Sequence, residues 1–151
     1  MLIPLLAGIL TILVNMVIQV IAVLILIRLF VNRREHNENK ATAARHIWTL
    51  TFSLAVLFAG NLVQITIWAR LFVYVGEFQV FATAFYHSTV NFASLGYGDI
   101  VMSEQWRLLG ALEAASGVLM FGLTAGTMFS IMQAIVRQQH QPAGNHNEST
   151  G

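Results

Sequence analysis

Ser94-Leu95-Gly96-Tyr97-Gly98-Asp99 lies between two long apolar stretches, and that placement decides how the chain is read. A Gly-Tyr-Gly tripeptide alone is common in surface loops. Here it follows a semi-apolar segment, 80–92, of 13 residues. As a helix that segment is about 20 Å long, too short to cross a bilayer. Glycine tolerates positive φ at little cost, so Gly96 and Gly98 at alternate positions let successive carbonyls turn to one side of the run.

Of the 151 residues, 56% are hydrophobic and 10% charged. Soluble domains carry about 25% charged residues, so the composition is that of a membrane protein. The chain has no cysteine, which excludes disulfides and thiolate chemistry. A net charge of +1 gives no sign of a nucleic-acid partner. Residues 2–27 and 47–69 carry no formal charge, and 108–136 carries only Glu113. Each is long enough to span, and open strands cannot cross lipid with their backbone groups unpaired. The expected fold is an all-α membrane protein with three transmembrane helices and a re-entrant half-helix. The first stretch lacks a basic n-region and a small-residue cleavage site, so it reads as a retained helix rather than a signal peptide.

Basic residues set the orientation. Arg28, Arg33, Arg34, Lys40 and Arg45 crowd the first connector and Arg137 follows the last helix, whereas only Arg70 and Arg107 lie on the opposite side. The connector and C-terminus are therefore expected in the cytoplasm and the N-terminus outside. Trp48 falls at the inner boundary, with Trp68 and Trp106 at the outer one, where amphipathic rings are favoured. Low charge and compact size point to a bacterial inner membrane.

The chain divides into an N-terminal transmembrane helix (1–31), a basic cytoplasmic linker (32–46), a pore domain (47–137) and a disordered polar tail (138–151). Within 47–137 the expected parts are an outer helix 47–75, a half-helix 80–92, the run 94–99 and an inner helix 107–137. The half-helix is tolerated at membrane depth only if protein surrounds it. The linker is a solvated connector, with lipid head groups as alternative contacts.

Helix, half-helix, SLGYGD, helix resembles the pore domain of potassium channels, and is most similar to small prokaryotic two-helix pores with one helix added in front. The resemblance covers about 90 residues, 47–137. It implies a homotetramer in which stacked carbonyl rings replace the hydration shell of K+. By position, the ion-binding filter is Ser94, Leu95, Gly96, Tyr97 and Gly98, with K+ at the carbonyls of Ser94, Leu95, Gly96 and Tyr97. Serine stands where the family usually has threonine, and Leu95 where it has valine or isoleucine. Asp99, Tyr86, His87 and Asn91 would support the filter. Tyr86 is placed to bond Asp99, and His87 and Asn91 to reach Tyr97. The Trp-Trp pair of many relatives is replaced by Tyr86-His87, a weaker cuff. His87 reads as a packed hydrogen-bonding group, with a proton sensor as the alternative.

The inner helix carries the gating candidates Gly117, Glu113, Phe129 and Met132. Gly117 sits at the family's hinge position, and close packing explains it equally well. Glu113 is the one acid inside a span, either bonded to the half-helix or filter, or sensing protons. Phe129 and Met132 lie where the inner end would narrow. Gly122 and Gly126 form a GxxxG contact pair. Asn15 with Gln19, and Asn61 with Gln64, each share a helix face. They dock the first two helices together or bond their own backbones.

The implied function is passive, potassium-selective conduction. A weakly selective monovalent cation channel, or a non-conducting modulatory subunit, are the alternatives. No enzyme site or cofactor is expected, and the partners are K+, lipid and three further copies, with a separate regulatory subunit left open. No helix carries the arginine repeat of a voltage sensor.

Overall fold

A computed structural model describes residues 2–34 and 43–139. It is all-helical, in the order α1 (Leu2–Arg34), α2 (Ala43–Tyr74), α3 (Phe81–Phe92) and α4 (Arg107–Gln139). Segments Leu2–Leu29, Ala44–Tyr74 and Arg107–Arg137 are long and apolar enough to cross a membrane. The helices run past the hydrophobic boundaries because backbone hydrogen bonding continues into polar sequence. α1 extends three residues past position 31, α2 begins four before 47, and α4 takes the first two residues of the stretch read as tail. The rest of the linker (35–42) and of the tail (140–151) lies outside the described residues.

A left-handed turn ends α2. Gly76 has φ 82, Gly76 N–H bonds Val73 O at 3.1 Å, and Glu77 N–H bonds Phe72 O at 3.1 Å. This paired closure satisfies carbonyls left over by the last turn, and glycine takes the αL position without strain. The chain reverses there, and α3 descends back along α2.

Lipid is as apolar as leucine, so helix association rests on packing and interhelical hydrogen bonds. Ile65, Trp68, Ala69 and Phe72 of α2, Ala84 and Phe92 of α3, and Leu109 and Met120 of α4 form the main core. Trp68 is completely buried in it, so it is a core residue and not an interfacial anchor as its position implied. A second cluster joins Ala22 and Leu26 of α1 to Leu57 of α2, with Met128 of α4 against it.

α1 lies in the groove between α2 and α4, not against α2 alone. Gln64 Nε2 donates to Gln19 Oε1 at 2.8 Å, and Gln19 Nε2 donates to Thr124 Oγ1 at 3.1 Å. A Cβ on Gly8 would strike the Leu112 side chain, and one on Gly60 would stand 3.6 Å from Gln19 Oε1. Asn15 is buried with both side-chain atoms unpartnered, and Asn61 Oδ1 is unpartnered too. One member of each polar pair thus docks, Gln19 of α1 with Gln64 of α2.

Candidate functional site

α3 is held between α2 and α4. Ser88, at its centre, has Oγ 2.9 Å from Ile65 O of α2 and in hydrogen-bond contact with Glu113 Oε1 of α4. Ser88 and Glu113 are both fully buried. A Cβ on Gly117 would collide with the backbone carbonyl of Phe92, and one on Gly110 would lie 3.1 Å from Asn91 Nδ2. Positions 110, 113 and 117 are one turn apart, so one stripe of α4 meets the lower half of α3. Gly117 therefore permits close approach of α4 to the end of α3, and α4 is helical throughout.

The end of α3 passes directly into the run 94–99. Ser94 N–H bonds Asn91 O at 2.7 Å and Leu95 N–H bonds Val90 O at 2.9 Å. This repeats the closure seen after α2, with Ser94 (φ 58) where glycine usually stands. A left-handed non-glycine residue costs roughly 1–2 kcal/mol. The two backbone hydrogen bonds of the closure hold it there. Gly96 (φ 58) and Gly98 (φ 72) follow, so positive φ falls on alternate residues. A Cβ on either glycine would meet nothing within 4 Å, and residues 94–99 are all exposed in the single chain.

Beside the run, Tyr86 Oη donates to Asp99 Oδ2 at 2.8 Å. That bond pushes the Tyr86 phenol above its ordinary range. His87 packs between aromatic rings, with centroids 5.6 Å from Phe72 and 5.0 Å from Phe78. Burial holds its imidazole below the usual histidine range, opposed by a hydrogen bond to the Ile100 backbone and by the charges of Asp99 and Glu77. Asn91 Nδ2 donates to His87 Nε2 at 2.9 Å. Within the chain these two side chains bond each other, and His87 reaches Ile100; neither bonds Tyr97, which is 65% exposed.

Two residues outside the sequence reading close the outer loops. Glu77 Oε2 accepts the Ser103 backbone N–H at 2.8 Å, and Oε1 accepts the Ser103 hydroxyl at 2.5 Å. Ser103 O in turn accepts the N–H groups of Trp106 and Arg107, at 3.1 and 2.9 Å. The turn after α2 is thereby tied to the start of α4, over the exit of the run. A lone acid beside the turn glycine Gly76 was the available signal. At the other end, Phe129 (56%) and Met132 (47%) of α4 are exposed, and Val118, Leu119, Gly122, Leu123 and Gly126 line an open groove on the same helix. No group of metal-ligating side chains is found among the described residues.

Three helices able to span a membrane, with a half-length helix and a glycine-punctuated run between the last two, define an integral membrane protein of the ion-conducting class. The profile of the family described as Ion channel matches residues 51–134, more than half of the chain, and the chain belongs to that family. No curated protein and no solved structure gave a significant match.

Proposed function

We propose that four copies of this chain assemble around the run 94–99 as a potassium-selective channel. The observation that carries this reading is the alternation of positive φ at Ser94, Gly96 and Gly98 just beyond a half-length helix. Alternating left-handed residues in a short run turn consecutive carbonyls to one side, which is what a dehydrating ring of oxygens needs. Carbonyls of Ser94, Leu95, Gly96 and Tyr97, with Gly98 completing the run, hold K+. Tyr86 and Asp99 brace the outer end, and His87 and Asn91 stand behind it. The negative dipole end of α3 favours a cation below the run.

Exposure of the whole run in one chain, and the open groove along α4, support burial by further copies. The excess of basic residues on one side supports a cytoplasmic α1–α2 connector and C-terminus. A second reading, weak selectivity among monovalent cations, is favoured by one observation: His87 and Asn91 engage each other instead of Tyr97.

Purified protein in liposomes tests both. Potassium flux well above sodium flux, blocked by barium, is the expected result. Equal fluxes select the second reading. An assembled oligomer that passes neither ion overturns both.

A further inference from the structure

We infer that Glu113 is uncharged in the folded protein and is a positioning residue, its carboxylic acid fixing α3 between α2 and α4 through Ser88. Ser88 Oγ carries one hydrogen. Two acceptors lie in bonding contact with it, Ile65 O at 2.9 Å and Glu113 Oε1. A carboxylate would compete with Ile65 for that single hydrogen. Its other oxygen, Oε2, has no hydrogen-bond partner, and the side chain is fully buried.

No cation acts on this group among the described residues. The polar groups facing it are Ser88 and the Asn91 amide from α3 and the Ile65 carbonyl from α2. His87 is turned away toward Phe72 and Phe78, with Asn91 as its polar neighbour. A buried carboxylate served only by one shared hydroxyl hydrogen and the neutral Asn91 amide, with no counter-ion, is a poor arrangement. A carboxylic acid closes the count. Glu113 Oε1–H donates to Ser88 Oγ, Ser88 Oγ–H donates to Ile65 O, and Oε2 is left as a neutral carbonyl oxygen beside Asn91. The hydrogen bonds then run in one direction, from α4 through α3 to α2.

The role follows from placement. Ser88 lies one turn before Phe92, whose carbonyl abuts Gly117 one turn after Glu113. The acid therefore sets the depth at which α3 sits on α4, and with it the height of the run that α3 delivers. That consequence rests on the proposed ion pathway; the protonation does not.

Infrared difference spectra of the purified wild-type and Glu113→Gln oligomers near neutral pH test the inference. The expected result is a protonated-carboxyl carbonyl band in the wild type that is lost in the variant. Glutamine can donate to Ser88 in the same way, so Glu113→Gln keeps the heat resistance of the oligomer, and Glu113→Ala loses it. Absence of the band, or equal heat resistance of the Ala and Gln variants, overturns the inference. If Glu113→Gln does not assemble, carbon-13 labelling of glutamate in the wild type must shift the band, and a band that does not shift overturns it. Both readouts are taken on protein that need not conduct. Loss of the ion-pathway reading would thus show in flux alone, and loss of this one in the spectrum.

Discussion

The carbonyl oxygen of Phe92 occupies the space that a Cβ on Gly117 would need. The obstacle is backbone, the last residue of α3, and cannot swing aside like a side chain. Gly117→Ala is therefore expected to push α4 off α3, at a cost of about 1–3 kcal/mol for overpacking. Under the tetramer reading, flux and oligomer heat resistance should both fall. A variant that conducts and resists heat like the wild type would show that this close approach of α4 to Phe92 is not made in solution.

Gly122 and Gly126 behave differently, since a methyl on either meets nothing within 4 Å in one chain. Under the tetramer reading their face meets a second copy. Gly122→Ala and Gly126→Ala should then lower recovery of the oligomer while leaving helix content by circular dichroism unchanged. Full recovery of both would assign that face to lipid.

Glu77 ties the turn after α2 to Ser103. Glu77→Ala removes two hydrogen bonds at a partly exposed site, worth roughly 1 kcal/mol or less together after competition with water. The fold should survive. Hydrogen exchange at the amides of Ser103, Trp106 and Arg107 should quicken, and amides in the middle of α4 should not change. Unaltered exchange at Ser103 would mean the tie is not formed in solution.

For His87 the sign follows from burial. Its folded pKa lies below the ordinary value, so the unfolded chain binds the proton first as pH falls. The stability is present in full above the ordinary histidine pKa of about 6.5 and is lost as pH drops through the lower folded value. Protonation also removes the acceptor that Nε2 offers to Asn91. The wild type should lose more heat resistance on acidification than His87→Gln. Parallel curves would refute this.

Gln19 and Asn15 sit one turn apart on α1, both fully buried, yet only Gln19 is bonded. Gln19→Leu strands Gln64 and Thr124, and hydrogen bonds between membrane helices are worth about 0.6 kcal/mol on average. Asn15→Leu strands nothing and should be neutral or stabilising. Thermal unfolding in detergent that ranks Asn15→Leu as the more damaging change would place the docking contact elsewhere.

The spanning helices and the half-helix could be read from local composition, because a charge-free run of sufficient length has one outcome in lipid. The particular partners across helices could not, although a bond from Glu113 to the half-helix and docking of the α1 and α2 polar faces are both expected from the sequence. Ser88 and Glu113 are 25 residues apart, Glu77 and Ser103 26, and Gln19 and Thr124 105. Periodicity places a residue on a face and leaves open which neighbour that face meets. Tyr86 and Asp99, 13 apart, could be paired only through the resemblance to potassium-channel pores. Trp68 shows the converse: its place at the end of an apolar stretch pointed to the interface, and tertiary packing buried it.

The closure of α3 by Ser94 and Leu95 has a mechanical corollary. The amides that terminate the helix belong to the first two links of the run beyond it. A pull along that run is a pull on the helix's final turn, and fraying of that turn would slacken the run at its inner mouth. Stiffness at this junction is thus a shared property of the two segments, and neither can loosen alone.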